Sequence, residues 1–324
     1  MTENYFQKIL FASRQLVNEG LYDVDFNDGR ISFYCGHNAL ETFIKNNKIF
    51  KTFSNKIIKH TFDDDGIILS IGRTKQHDMA RLDSFKNGIN YATCPLPLSN
   101  DSFLTDRYHG SADEAALIMH FPSVVILDWK LCQSEGLHKN LQGVGEVAGL
   151  VTSVYDYLLT HGKEEFSPLW EEIKNLVNTL FEIWKSNTSD EVRIISLSMA
   201  LSYKGMLMRV CGDNSIGASC DHMIAYFLQK SGFQSPHGVL VFMGMLISLM
   251  VISEDLCDYY LGLGKEIGLI QSDDIMNLLA FDFCDLFQKS ASLRPNRKTF
   301  LRDISKKESF IIGEKFKRRL VSHA

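Results

Sequence analysis

The stretch Phe121–Cys132, FPSVVILDWKLC, separates two patterns in this 324-residue chain. Its centre, Ser123–Asp128, is a short apolar run typical of a buried parallel strand. Upstream of it, short apolar runs alternate with helical periodicity, whereas after Trp129 only helical patterns remain. The sequence therefore predicts an α/β domain over residues 1–125 and an all-helical domain over residues 126–324.

The upstream part alternates strands with helices, which predicts a parallel, Rossmann-like sheet with crossover helices. Its clearest strands are Gly66–Gly72, GIILSIG, and Ile89–Pro95, INYATCP. The other predicted elements are an N-terminal helix around Phe6–Val17, a hairpin at Asn27-Asp28-Gly29, and helices at Ala39–Asn46 and Gln76–Asn87.

The downstream part predicts a helical bundle, and Thr188-x-x-Glu191 reads as a capping box. The most apolar stretch, Val239–Ile252, is shorter than the ~20 residues that a membrane-spanning helix needs, so we expect a core helix. The predicted helices cover residues 140–160, 166–185, 190–209, 217–230, 238–253, 256–264 and 273–290.

Composition narrows the classes of protein. The chain is 45% hydrophobic and 23% charged, which is typical of soluble globular domains. A net charge of -5 argues against a general nucleic-acid binder, and no membrane partner is expected. Seven scattered cysteines without a C-x-x-C pair, and an N-terminus without signal-peptide features, predict a reduced, cytoplasmic protein. A small-molecule substrate is expected, and a homo-oligomer is left open.

Three residues of the downstream part form a candidate ligand set for a metal. Glu146 lies in GVGEVAGL, His222 in GASCDHM and His237 in SPHGVL. One carboxylate and two imidazoles can hold a divalent metal and leave a coordination position open for substrate. The alternative is that these side chains are helix caps or satisfied core groups.

Five segments, in order, resemble the dehydroquinate synthase-like superfamily, which includes the iron-containing and glycerol dehydrogenases. The similarity is greatest to its sn-glycerol-1-phosphate dehydrogenases. The segments are FPSVVILDWKLC, GVGEVAGLVTSVYDYLL, CGDNSIGASCDHMIAYFL, SPHGVLVFMGML and SLRPNRKTFLRDI. The resemblance implies that Glu146, where the family usually has aspartate, binds a divalent metal with His222 and His237 in the cleft between the domains. Zn²⁺ or Fe²⁺ is implied, with Ni²⁺ as a third candidate.

The upstream segment IGRTKQHDMARL falls where the family has its nucleotide loop, so the resemblance assigns the cofactor site to Gly72, Arg73, Thr74, Lys75 and Asp78. The family has three glycines there, and bare backbone lets a pyrophosphate approach the helix N-terminus. Here two of them are replaced by side chains. NAD(P) binding is therefore left open, and Arg73 and Lys75 either attract an anion or are ordinary solvated charges.

Two further departures weaken the same site. Only 36 positions separate Gly36 from Gly72, which is shorter than in the family and predicts a truncated nucleotide-binding domain. In the loop CPLPLSNDS, Leu96 stands where the family usually has a threonine that faces the dinucleotide.

The resemblance implies a metal-dependent oxidoreductase of the polyol dehydrogenase type, acting on a small, oxygen-rich substrate such as a phosphorylated polyol or sugar. The metal would act as a Lewis acid on a hydroxyl or carbonyl oxygen. Asp101, Asn100 and Tyr226 are the candidates for substrate contact, and Tyr226 is either a proton donor or a core tyrosine. Two alternatives stay open: an NAD-independent lyase, isomerase or cyclase on the same metal, and a non-catalytic family member that serves as a binding partner.

Overall fold

A computed structural model describes residues 31–35, 67–108, 117–163 and 167–322. The chain divides into two compact units, Met1–Asn140 and Leu141–Ala324. The predicted N-terminal helix, the hairpin turn at Asn27-Asp28-Gly29 and the helix at Ala39–Asn46 lie outside the described residues.

The described residues of the first unit form six strands, which are β1 (Ile31–Cys35), β2 (Ile67–Gly72), β3 (Asn90–Pro95), β4 (Arg107–Tyr108), β5 (Leu117–Ile118) and β6 (Val124–Val125). Four of them form a parallel sheet in the order β1-β2-β3-β6, and a parallel sheet was predicted. A separate antiparallel pair is formed by β4 and β5. Helix α1 (Thr74–Asn87) connects β2 to β3, and α2 (Trp129–Ser134) and the start of α3 (Leu137–Ala148) complete the unit.

The predicted strand Ser123–Asp128 is shorter than expected, because only Val124–Val125 pair with β3. Asp128 instead begins a helix: its Oδ1 accepts a hydrogen bond from the Leu131 backbone N–H at 3.1 Å, which caps α2. The apolar run therefore predicts a strand correctly, but the capping side chain ends it early.

The second unit is helical in all its described parts, which confirms the change of pattern after Trp129. Its elements, beginning with the rest of α3, are α4 (Leu150–His161), α5 (Ser167–Lys185), α6 (Asp190–Cys211), α7 (Cys220–Lys230), α8 (His237–Ile252), α9 (Glu254–Glu266), α10 (Ser272–Ala280), α11 (Leu286–Ser292) and α12 (Lys306–Ser322).

Three details of the helices differ from the prediction. The run 140–160 forms two helices separated at Gly149, and the run 273–290 divides into α10 and α11. The N-cap of α6 is Ser189, whose Oγ accepts from the Val192 N–H, so the predicted capping box at Thr188 is wrong. The Thr188 hydroxyl instead donates to the carbonyl oxygen of Ile183 at the end of α5.

The apolar helix α8 is the core of the second unit, as expected, and nearly all of its side chains are buried. Among the described residues, one helix, α6, is long and apolar enough to cross a membrane, whereas α8 is shorter. Half of its most apolar window is buried inside the fold, and core helices meet the same criterion.

Glycines bring α3, α7 and α8 into backbone contact. A Cβ atom at Gly238 would lie 1.9 Å from the carbonyl oxygen of Gln142, and one at Gly145 would lie 2.2 Å from the carbonyl oxygen of Gly238. At Gly244 the nearest atom would be the carbonyl oxygen of Asp221, at 2.2 Å. Only glycine fits these positions. The first turn of α8 therefore lies against α3, and the first turn of α7 lies against the middle of α8.

Candidate metal centre

The predicted ligand residues come together at this helix junction. One donor atom from each of Glu146, His222 and His237 lies within 4.8 Å of the other two. His222 Nε2 is 3.0 Å from Glu146 Oε1, and His237 Nε2 is 3.7 Å from Glu146 Oε2. Residues separated by up to 91 positions (237 minus 146) therefore share one small site.

The donor set fits a divalent metal. Glu146 is 2% exposed, and its Oε2 atom is buried without a hydrogen-bond partner among the described residues. Buried carboxylate oxygens are normally hydrogen-bonded or bound to a cation. A carboxylate oxygen and two imidazole nitrogens suit Zn²⁺ or Fe²⁺, and the 35% exposed side chain of His237 leaves one side accessible.

Asp221 orients His222. Its Oδ2 lies 2.6 Å from His222 Nδ1, which directs Nε2 toward Glu146. The other oxygen, Oδ1, accepts hydrogen bonds from the Ser153 hydroxyl and, at 3.1 Å, from the Ser219 N–H. A carboxylate bound to the second nitrogen of a histidine is the usual support of a metal-binding imidazole.

A second buried aspartate extends this support. Asp156 Oδ2 accepts from the Ser219 hydroxyl at 2.5 Å, and its Oδ1 accepts from the Phe300 N–H at 2.8 Å. Burial raises the pKa of Asp156. The turn before α7 is thereby joined to the segment near Phe300.

Lys204 and Asp221 set the electrostatics of the centre. The Lys204 ammonium is 2.5 Å from Glu146 Oε1. Burial disfavours the charged carboxylate, but Lys204 and the two histidines hold the pKa of Glu146 well below its usual range. Burial alone would lower the pKa of His222, whereas Asp221 and Glu146 raise it to about 9.

Neither Lys204 nor Asp221 was predicted from the sequence, although the sequence carries a signal for each. Asp221 directly precedes His222 in the chain. Lys204 occupies a position on the buried stripe of α6 that includes Leu197, Leu201 and Met208. A lysine at an apolar position of a core helix indicates a buried anionic partner.

Tyr226 lies beside the ligands, one turn after His222. Its ring stacks on His237 with centroids 5.6 Å apart and meets His222 edge-on at 6.2 Å. The guanidinium of Arg294 lies 5.6 Å from the centre of the Tyr226 ring. Burial raises the pKa of the Tyr226 hydroxyl. Of the predicted substrate-contact residues, Tyr226 is the one placed next to the metal ligands within this unit.

The predicted nucleotide loop has a different arrangement from a bare glycine run. Gly72 ends β2 with φ +137°, and a Cβ there would lie 3.2 Å from Gln76 Oε1. The same oxygen accepts a hydrogen bond from the Arg73 N–H at 3.1 Å. Arg73 and Lys75 are exposed. The Gln76 amide thus lies over the glycine and caps the start of α1, so the helix N-terminus is not bare backbone here.

Asp78 has a structural partner. It forms a buried ion pair with Arg81, which also donates to the carbonyl oxygens of Thr105 at 3.0 Å and Arg107 at 2.8 Å. The predicted assignment of Asp78 to cofactor binding stays a prediction.

Asn100 and Asp101 follow the carboxyl end of β3. Asn100 Nδ2 donates to Thr74 Oγ1 at 2.7 Å, and its Oδ1 accepts from the Ser102 N–H at 3.0 Å. Asp101 is buried and precedes a 3-10 turn, Ser102–Leu104. The loops after β2 and β3 therefore meet, as expected for neighbouring parallel strands.

Solved structures share this fold. Glycerol dehydrogenase from Schizosaccharomyces pombe matches 90% of this chain and 84% of its own, with a TM-score of 0.65 and 12% identity. An iron-containing alcohol dehydrogenase from Thermotoga maritima matches 96% of both chains, with a TM-score of 0.56 and 14% identity. The chain thus has the fold of the iron-containing alcohol dehydrogenases, which confirms the predicted fold class.

Curated proteins similar in sequence share one name. Glycerol-1-phosphate dehydrogenase [NAD(P)+] from Staphylothermus marinus is 22% identical over 258 residues, which cover 76% of this chain and 72% of the relative. The protein of that name from Pyrobaculum aerophilum is 22% identical over 268 residues, 74% and 75% of the two chains. No protein-family model matches the chain. The predicted resemblance to this dehydrogenase branch is confirmed.

Proposed function

We propose that this chain is a metal-dependent oxidoreductase of the polyol dehydrogenase type. Its substrate is a small, oxygen-rich molecule, such as a phosphorylated polyol or sugar, with a hydroxyl or carbonyl group that reacts. The observation that carries the proposal is the buried trio of Glu146, His222 and His237, with Glu146 Oε2 lacking a donor among the described residues. The names of the sequence relatives support the substrate class.

Each side chain of the centre has its own role in the proposed reaction. Glu146, His222 and His237 would hold the metal, which supplies Lewis-acid polarisation of the substrate oxygen. Asp221 keeps the His222 ring oriented through Nδ1. We assign proton exchange with the substrate to the Tyr226 hydroxyl, because its ring stacks on His237. Asn100 and Asp101 are assigned to substrate contact from the resemblance alone.

The position of Gln76 favours a second candidate function. The names of the relatives include NAD(P)+, but the Gln76 amide lies over Gly72 in this chain. A lyase, isomerase or cyclase would use the same metal centre on the same kind of substrate without a dinucleotide.

Titration of the Zn²⁺-loaded full chain with NADH and NADPH, followed by fluorescence and calorimetry, separates the two candidates. Saturable binding supports the oxidoreductase, and Gln76→Gly should then tighten it by opening the helix N-terminus. Loading with Zn²⁺ but no dinucleotide binding contradicts the oxidoreductase and supports the non-redox candidate. If the chain binds neither Zn²⁺ nor a dinucleotide, the result supports the remaining alternative, a non-catalytic binding protein.

A further inference from the structure

Lys204, on the buried face of α6, places its ammonium group in the metal centre. The side chain is 1% exposed. Its Nζ atom lies 2.5 Å from Glu146 Oε1 and 3.3 Å from the carbonyl oxygen of the same residue. The ammonium therefore spans the main chain and the carboxylate of one metal ligand.

Lys204 and Glu146 depend on each other. A buried ammonium or carboxylate is costly unless an opposite charge accompanies it, and removal of one partner leaves the other uncompensated. The contact engages Oε1 only, whereas Oε2 faces His237 at 3.7 Å. Of the nitrogen atoms beside the Glu146 carboxylate, Lys204 Nζ is the nearest, at 2.5 Å against 3.0 Å for His222 and 3.7 Å for His237. Without metal, the Lys204 ammonium therefore contributes to the charge compensation of Glu146.

We propose that Lys204 is a resident cation of this centre, which competes with the metal for Glu146 and adds one positive charge to the loaded site. The inference rests on the proposed function, because it takes the trio as a metal site. An additional fixed positive charge at the centre favours a substrate whose reacting oxygen gains negative charge.

Two effects of Lys204 on the metal have opposite signs. Contact with Lys204 fixes the Glu146 carboxylate, and supporting contacts of this kind are worth about 10- to 100-fold in metal affinity. Repulsion between an ammonium and a divalent cation on neighbouring sides of one carboxylate works against binding, and in a buried site it is the larger effect. Removal of the charge should therefore tighten metal binding.

The test compares full-length wild-type protein with Lys204→Met and Lys204→Gln. Zn²⁺ affinity is measured by calorimetry with a competing chelator, and thermal unfolding is recorded with and without Zn²⁺. We expect both variants to bind Zn²⁺ about tenfold more tightly, or more, because a like charge is gone. Without metal, both variants should unfold at a lower temperature than wild type. Addition of Zn²⁺ should raise their unfolding temperature by more than it raises that of wild type. Lys204→Gln, which keeps a hydrogen-bond donor, carries the test if Lys204→Met does not fold.

The matched control is Lys174→Met, which removes another lysine–glutamate pair of the helical unit, Lys174 with Glu171 at 2.8 Å. Its Zn²⁺ affinity should equal that of wild type. If wild type binds Zn²⁺ and both Lys204 variants bind it equally or more weakly, the inference about Lys204 is overturned. The proposal of a metal centre at the trio would then stand. Wild-type protein that binds no Zn²⁺ would overturn the metal centre itself.

Discussion

Asp221 is the residue on which the geometry of His222 depends. It sits at the second nitrogen of the imidazole and is itself held by Ser153 and Ser219. An asparagine has nearly the same shape but lacks the charge that stabilises this arrangement. The contribution of Asp221 can therefore be measured without a cavity in the core.

Asp221→Asn should weaken Zn²⁺ binding by about 10- to 100-fold, because a neutral amide is a poorer support for the metal-binding imidazole. Calorimetric titration of the metal-free protein measures the change. Asp255→Asn, at an exposed position of α9, is the control and should bind like wild type. Equal affinity of Asp221→Asn and wild type would show that His222 needs no such support.

His77 gives the first unit a pH dependence. Burial, followed by the nearby Arg81, lowers the pKa of His77 to about 3. Because the folded pKa is depressed, the stability that the neutral ring contributes is present above pH 6.5. It is lost as the pH falls from 6.5 toward 3, since the unfolded chain then binds the extra proton.

His77→Asn should remove roughly 3 kcal/mol of the stability difference between pH 6.5 and pH 4. Urea unfolding at a series of pH values measures it, and subtraction of the variant from wild type cancels the carboxylates common to both. His138→Asn, at an exposed position in the first turn of α3, serves as the control. If the free energy of unfolding changes with pH in the same way in wild type and His77→Asn, His77 is not the source of this pH dependence.

At the level of helices, glycines set the spacing of the proposed metal ligands. Glu146 follows Gly145 on α3, and His237 precedes Gly238 on α8. The missing side chains allow the two backbones to touch, which brings Glu146 Oε2 to 3.7 Å from His237 Nε2. The glycines beside the ligands therefore have a packing role.

Gly238→Ala should destabilise the fold by about 1–3 kcal/mol, because the new Cβ would overlap the Gln142 carbonyl and force α3 from α8. Zn²⁺ affinity should fall with it. Gly262→Ala, also within a helix, meets no heavy atom within 4 Å and should stabilise by up to about 1 kcal/mol. Urea unfolding of the three proteins checks both signs. Similar stability of the two variants would contradict the packing role.

Helices and strands with a clear apolar period could be predicted from sequence, whereas their ends could not. GIILSIG became β2, and the run 166–185 became α5 nearly as expected. The start of α6 at Asp190 was predicted, but its cap was misplaced by one residue, because Thr188 and Ser189 are both good caps and only the backbone decides between them. Divisions at Gly149 and Phe281 depend on tertiary contacts that a local pattern does not contain.

Over the whole chain, the ligand trio could be predicted because its motifs stand in the family's order. The sequence did not connect Lys204 or Asp156 with the centre, since each joins it through contacts across more than 50 positions of sequence. The side-chain hydrogen bond from Arg297 to Asn214, at 2.6 Å, likewise joins residues that are far apart in the sequence. The resemblance to the family indicates which residues are the candidate ligands. The fold is needed to find the side chains that add charge to the site or orient those ligands.

The measurement that tests the central claim most directly is metal content, determined by elemental analysis of the purified chain after Zn²⁺ loading and removal of excess. We predict about one equivalent for wild type and a large loss in both His222→Ala and His237→Ala, because each variant removes one of three ligands. No metal in folded wild-type protein, or as much metal in both variants as in wild type, would contradict the account.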